Sequence, residues 1–423
     1  MKIIIDRINP LKKYKNYINN GGIYLLASII PSLISIILNP LFALNLSPYD
    51  YAVITYYTSF GNLITPLLGF FAVDFFLKKY YSSTIDELKK IKENVISFFI
   101  IGSGFVSIVS FIGVAIFVNL QNVQFPLFPF AILVFCQLYV ALPYTFLLAE
   151  YRIKGDALGY FKISIFWSLL NVLLSLLFVV IFKLGAVGKL SAVLLVSGTC
   201  FIWVLIKYKD YLVIKFDKKI LKEILSFGWP LVLSSMINFI SGGLDKVLLE
   251  KNIDADSLGY YSVGCQIAAY LSLISTSLKS TFQPDYYKAI SQKNIKKVII
   301  LTIGIVAIMA FVVGIFICFA PFLVDILTAG RYVESTRICQ ILALSTITST
   351  LYFQLSLFTY GVGLPKITLI NKIFGGIIAF FLLLILIKNM GVIGAAWGSV
   401  ISYLVYSFGN ILLLLLNKNK ILK

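Results

Sequence analysis

Apolar runs recur from one end of the chain to the other. Each is about 20 residues long, enough for a helix to cross ~30 Å of hydrocarbon. Read between polar punctuation they give twelve spans, near residues 21–44, 52–77, 94–118, 127–148, 162–182, 189–206, 224–248, 258–283, 298–320, 336–360, 370–387 and 393–416. Of the 423 residues 60% are apolar and 13% charged, with a mean hydropathy of +0.95. Soluble domains of this length would need more charge on their surfaces. The expectation is an all-α polytopic membrane protein of about twelve helices. Met1 to Asn20 is basic and leads into the first run, as a signal peptide would. That run is too long and lacks a small-x-small cleavage site, so it is read as an uncleaved first span.

The ionisable residues are lopsided, with 36 Lys+Arg against 18 Asp+Glu and a net charge of +18. An excess of this size suggests a nucleic-acid partner until its location is considered. An even number of spans puts both termini on one side. With that side inside, 28 of the 36 cations fall on inner segments. The outer segments hold only Lys183, Lys189, Lys251, Arg331, Arg337 and Lys388, balanced by Asp50, Glu250, Asp254, Asp256, Asp325 and Glu334. Within spans, Asp74 and Asp245 offset Lys246 and Lys279. The whole excess is therefore cytoplasmic, as the positive-inside rule expects, and no nucleic-acid partner is needed to explain it. Both termini are expected in the cytoplasm.

Absent residues exclude chemistry. The chain has no His, so it has no Ser-His-Asp or Cys-His arrangement, no His metal ligand and no imidazole relay. Cys136, Cys200, Cys265, Cys318 and Cys339 are far apart, in or beside apolar runs, and suggest neither a disulfide framework nor a zinc site. No cofactor, metal or catalytic residue is expected.

The two halves of the sequence match. With Gly22 laid on Gly228, the residues Leu25, Ser28, Ser32, Ser35 and Asn39 fall on Leu231, Ser234, Asn238, Ser241 and Asp245. The same shift lays Tyr80-Tyr81 on Tyr286-Tyr287 and Gly185-Ala-Val-Gly188 on Gly391-Val-Ile-Gly394. A slightly larger one lays Lys162-Ile163 on Lys372-Ile373. Six spans per half make the repeat parallel, with a substrate path expected between the halves. The expected domains are a six-helix lobe at 1–206, a basic cytoplasmic linker at 207–223 and a second six-helix lobe at 224–423. Two such lobes suit a transporter better than a rigid structural protein.

Several segments together resemble the polysaccharide and O-antigen flippases of the multidrug/oligosaccharidyl-lipid/polysaccharide (MOP) exporter superfamily. They are Leu46-Ser-Pro-Tyr-Asp-Tyr51, Phe227-Gly-Trp-Pro230, Asp245-Lys246, Leu258-Gly-Tyr-Tyr-Ser262, Pro284 and Gly391-Val-Ile-Gly-Ala-Ala396. They spread over both halves and are specific in their order rather than singly. The resemblance implies a MATE-like fold in the bacterial inner membrane. It also implies transfer of an undecaprenyl-diphosphate-linked oligosaccharide, an O-antigen or related surface glycan unit, to the outer leaflet by alternating access. Membrane lipid, a glycan polymerase and chain-length machinery are the partners it implies. Cation-coupled multidrug exporters share the architecture and are the alternative. Their coupling carboxylate commonly lies in the first lobe, where this chain offers only Asp74 within a span, near the inner surface. A membrane polymerase or ligase would set its chemistry in a long outer loop, and the longest here, Pro321 to Ser335, is short.

A diphosphate crossing hydrocarbon calls for cations facing a wet cavity. An ionisable side chain at the bilayer centre costs ~2.5–3.5 kcal/mol, which such residues usually offset by facing the protein interior. Lys279, in the polar stretch Ser275 to Thr281, is the first candidate; a lysine snorkelling to the inner headgroups is the other reading. Arg337 is either an outer substrate contact or an interfacial anchor. Asp245 and Lys246, adjacent on a helix, are not expected to face each other. Asp245 is either a gate latch paired to a cation of another helix or a solvated helix end. Asp74 is either an ion-coupling group or one half of an ion pair. Mid-depth Asn62, Asn171, Ser234, Asn238, Gln266, Tyr270 and Gln354 suit sugar hydroxyls, with ordinary interhelical hydrogen bonds as the plainer alternative.

Overall fold

The computed structural model describes residues 10–212 and 216–417. Lys2, Asp6, Arg7, Lys215, Lys418, Lys420 and Lys423, counted above, lie outside the described residues. Among these the secondary structure is helical throughout. In chain order the helices are α1 (Pro10–Asn45), α2 (Pro48–Ser59), α3 (Gly61–Gly69), α4 (Ala72–Lys79), α5 (Ile85–Ser97), α6 (Ser103–Gln121), α7 (Phe130–Val140), α8 (Leu142–Ile153) and α9 (Ala157–Leu176). They continue as α10 (Gly185–Lys207), α11 (Lys218–Gly242), α12 (Leu244–Asn252), α13 (Ala255–Ala269), α14 (Leu271–Ser291), α15 (Ile295–Thr328), α16 (Ser335–Gly361) and α17 (Pro365–Leu416). Single π turns follow α5 and α9, at Phe98–Gly102 and Leu177–Ile181.

Among the described residues nine helices are long and apolar enough to cross a membrane, or ten when α2–α3 and α4, bent by 44°, are taken as one span. Two details reconcile this with twelve expected spans. α17 is a hairpin: Gly391, with φ of +54°, reverses the chain, and Asn371 Nδ2 donates to the Tyr406 carbonyl at 2.7 Å across the two arms. It therefore holds the eleventh and twelfth spans. The eighth span corresponds to α13 and α14, which break at Tyr270: α13, with 15 residues, is too short to cross a membrane alone, and α14 is rich in polar residues.

Capping residues place several helix starts. Ser47 and Asp50 form a reciprocal capping box on α2, with Pro48 in its first turn, and Thr84 and Glu87 form another on α5. Asp156, Asp254 and Asn294 cap α9, α13 and α15. The Asp254 carboxyl is held below the usual carboxylate range, first by the Ser257 backbone N–H it accepts.

The helices pack as two compact units that interleave in sequence. The first consists of residues up to Asn45, Ile64–Leu120 and Leu127–Val232; the second of Leu46–Leu63, Gln121–Pro126 and residues from Leu233 onward. The first part of the second span and the first part of the seventh thus pack outside the half that contains them in sequence.

In the first unit, α1 lies along α9 and α7 along α10. Buried Lys92 of α5 donates to Glu150 of α8 at 2.8 Å and lies over the rings of Tyr208 and Tyr211. The Tyr208 hydroxyl also donates to Glu150, and Lys154 pairs with it at 2.7 Å. The Asp217 N–H donates to Asn94 Oδ1, and Lys79 pairs with Glu223 at 2.9 Å. Both described ends of the basic linker are therefore fastened to this unit. Gly228 meets the Phe70 carbonyl where a Cβ would collide, while Phe227 and Trp229 lie against Phe75 and Phe70.

In the second unit, α2 packs on α13, with Gly259 so close to the Pro48 carbonyl that a side chain is excluded. The Tyr332 hydroxyl donates to the Leu46 carbonyl at 2.6 Å, and Tyr51 and Tyr260 lie edge-on to its ring. The segments Leu46 to Tyr51 and Leu258 to Ser262, separate in sequence, are therefore one packed corner.

The internal repeat is visible in the backbone. Gly185 and Gly391 both take positive φ, +53° and +54°. Three residues on, a Cβ at Gly188 or Gly394 would press on the carbonyl of Phe178 or Leu386. The same four-residue device turns the chain between the last two spans of each half.

Loss of the cap in Ser47→Ala is expected to cost about 1 kcal/mol. Overpacking in Gly259→Val is expected to cost about 1–3 kcal/mol. Thermal unfolding of the purified protein in detergent checks both, and because the two sites share one corner their effects are expected to be non-additive.

Candidate functional site

The site grows from a break in the seventh span. α11 stops at Gly242 and α12 starts at Leu244, with Gly243 at φ −153° between them. The carbonyl of Gly242, left without its helical partner, accepts from Asn62 Nδ2 at 2.8 Å. Asn62 is thus the plug of a helix break. Asp245 follows in the first turn of α12 and is 4% exposed.

Lys246 Nζ donates to both Asp245 oxygens, at 3.0 and 2.8 Å, and the Tyr261 hydroxyl of α13 donates to Oδ2 at 2.6 Å. This corrects the expectation that the two residues do not face each other. Adjacent side chains diverge at Cβ, but the four-carbon lysine stem folds back over the first helical turn to reach the carboxylate. The partner that Asp245 finds on another helix is a hydroxyl, not a cation.

Two cavities open within the second unit, the first of them beside this pair. The first, about 410 Å³, has Asp245 and Lys246 in its wall and Lys279 farther along it. Between them run the hydroxyls of α14 and α16, among them Ser275, Thr346, Ser349 and Thr350. Ser275 and Thr350 share a hydrogen bond of 2.9 Å. Gln354, 2% exposed, also lines this cavity, and its Oε1 has no hydrogen-bond partner among the described residues.

The second cavity, also about 410 Å³, shares Lys279 with the first and adds Lys372 and Asn238. Lys279 Nζ lies 5.2 Å from the Phe353 ring centre, and Lys372 Nζ donates to Ser234 Oγ at 3.2 Å. Tyr352, Tyr403 and Tyr406 form its aromatic wall, each ring within 6.3 Å of the next. Two ammonium groups, tyrosine faces and a row of hydroxyls can hold an anion and a polyhydroxylated group together. Among the described residues no group of three Cys, Asp or Glu side chains is placed to hold a metal ion.

Of the residues singled out from sequence, Asp245, Lys279 and Gln354 meet at the first cavity and Asn238 and Lys279 at the second, with Ser234 bound to Lys372. The rest lie outside these two. Asn62 serves the helix break, exposed Gln266 precedes the α13–α14 break at Tyr270, exposed Arg337 opens α16, and exposed Asp74 opens α4. Sequence reasoning missed Lys372, the three tyrosines and the hydroxyls of α16. The run Ser345-Thr-Ile-Thr-Ser-Thr350 inside an apolar span was the available signal. Lys372 was hidden because it sits at the edge of the eleventh span and counts equally well as a loop charge.

Breaking the buried pair by Asp245→Asn or Lys246→Met is expected to cost ~3–5 kcal/mol, because each leaves an uncompensated charge. The double variant is expected to recover most of that loss. Thermal unfolding of all four proteins in detergent checks the cycle, and a loss in the double variant equal to the sum of the two single losses would show that the pair is not coupled.

The comparisons with known proteins agree with this architecture. A family model described as polysaccharide biosynthesis protein matches residues 43–337. A Haemophilus influenzae protein of the Lsg locus is 33% identical over 72 residues, covering 17% of this chain and 18% of that protein. The matched stretch is thus under a fifth of that curated relative. Among solved structures, a lipid II flippase MurJ in an inward closed conformation superposes with a TM-score of 0.70 at 15% identity, covering 94% of this chain and 88% of that one. An inward-facing multidrug resistance MATE family transporter of the MOP superfamily gives 0.68 at 17% identity, covering 93% and 98%. At such identities the likeness is one of fold. With the family model matching well over half of its length, this multi-pass membrane protein belongs to the polysaccharide biosynthesis protein family and has the fold of the MOP superfamily.

Proposed function

We propose that the chain is a flippase that moves a diphosphate-linked oligosaccharide on a polyprenyl carrier across a bacterial inner membrane by alternating access. The observation that carries this is the shared wall at Lys279, where two cavities bring an ammonium group together with Lys372, aromatic faces and many hydroxyls. The lysines suit a diphosphate, whereas the hydroxyls and tyrosines suit sugar. Membership of a polysaccharide biosynthesis family supports a glycan cargo over a drug, and the lipid II flippase among the structural neighbours supports a lipid-linked one. The cationic inner segments support cytoplasmic termini. In this proposal the two sequence halves, 1–206 and 224–423, are the alternating lobes. Glycan polymerase and chain-length machinery would take the flipped unit.

The multidrug-transporter neighbours favour a second reading, a cation-coupled small-molecule exporter of the same superfamily. Deleting the gene separates the two. A flippase predicts lipid-linked repeat units accumulating inside and surface glycan lost. Unchanged surface glycan with lost drug tolerance would overturn it in favour of export. Within the site, Lys279→Gln removes one charged hydrogen-bond donor, a change of ~1.5–3 kcal/mol, so export of surface glycan is expected to fall about tenfold to a hundredfold at unchanged protein level.

A further inference from the structure

The first compact unit has its own cavity of about 320 Å³, which the site above does not use. Ser164, Ser168 and Asn171 reach it from α9, spaced four and three residues apart and so on one helical face. Ser197 and Cys200 reach it from one face of α10, and Tyr144 and Trp167 supply aromatic surface. The Trp167 ring is braced edge-on by Phe166 at 5.2 Å and approached by Trp203 at 6.2 Å. None of the described residues that line the cavity is charged, in contrast to Lys279 and Lys372 in the second unit.

That combination narrows the ligand. An anion entering here would meet no counter-charge, and a hydrocarbon tail would strip serine and asparagine of partners without replacing them. A ring with hydroxyls at its rim and an apolar face satisfies both kinds of lining, and the volume lies within the ~300–1,000 Å³ typical of small-ligand sites. We propose that this cavity is a saccharide subsite that takes one neutral sugar residue of the cargo, with Trp167 and Tyr144 on its apolar face and Asn171 and the serines on its hydroxyls. It rests on the flippase function proposed above and names the sugar as what this uncharged cavity selects.

The test uses the full chain in lipid nanodiscs with Trp203, Trp229 and Trp397 replaced by Phe, so that Trp167 is the only tryptophan. One probe is undecaprenyl diphosphate without sugar; the other is the sugar-bearing lipid extracted from cells lacking the gene. The sugar-bearing lipid is expected to shift Trp167 emission and the bare diphosphate is not. Asn171→Leu is expected to weaken the sugar-bearing lipid roughly tenfold and leave the bare diphosphate unchanged. Equal responses to both lipids, or no effect of Asn171→Leu, would overturn the subsite. If the tryptophan-reduced chain does not fold, native mass spectrometry of each lipid bound to the otherwise unaltered chain and to its Asn171→Leu variant gives the same comparison. Failure of the flippase function itself looks different: neither lipid binds, and gene deletion leaves surface glycan intact.

Discussion

Hydrocarbon offers a peptide group no partner, and in this chain several departures from regular helix are repaired by a side chain. Asn62 supplies the amide that the Gly242 carbonyl lacks at the break in the seventh span. Near the bend after α3, the Ser103 hydroxyl donates to the Leu68 carbonyl at 2.6 Å, and in the π turn after α5 the Tyr139 hydroxyl donates to Ile100 at 2.8 Å. At the connections, Tyr57 serves the carbonyls of Phe125 and Pro126 and Tyr332 serves that of Leu46. These donors stand on other elements, so each repair also ties two elements together. Much of the polar content of the spans is spent on the backbone before any is left for a ligand.

Charge within the spans divides by the same accounting of partners. Asp245 and Lys246 satisfy each other, with Tyr261 as a third member, and the cluster is neutral to anything that enters the cavity beside it. Lys92 and Lys154 share the one carboxylate of Glu150 in the first unit. Lys279 and Lys372 differ, because their contacts are an aromatic ring and a hydroxyl, which leave a positive charge uncancelled. A negative ligand gains most where the protein has not already neutralised its own cation. Lys279 and Lys372, rather than Lys246, are therefore the cations that the proposed anionic cargo would meet.

The spans and the repeat were legible because they depend on long averages: twenty apolar residues in a row, or several matches at one shift. Gly188 and Gly394 could be paired from sequence, and the structure adds the reason, a carbonyl pressed against each. Individual roles were less legible, since they depend on where helices stop. Asn62 looked like a sugar-binding amide because nothing near it in sequence announces that Gly242, on another helix, needs a donor. Asp245 and Lys246 were judged by the divergence of neighbours in a regular helix, but the pair starts a helix, where the stem of Lys246 can fold back. Lys279 was legible for the opposite reason, as a charge inside a span already implies an interior, wet environment.

The polarity of the spans inverts the usual relation between apolarity and burial. α15 is the most apolar of the membrane-crossing helices and α16 the least, yet α16 is the more buried of the two. Lipid accepts the Ile and Phe side chains of α15 directly, so apolar surface has no reason to be hidden there. The hydroxyls of α16 and α14 have no such outlet and must turn inward, where they either bond one another, as Ser275 and Thr350 do, or line a space. The same polarity leaves α14, which supplies Lys279, less apolar than the spans whose side chains suit lipid. In a chain of this kind the weakest spans by apolarity are the ones to search first for the ligand.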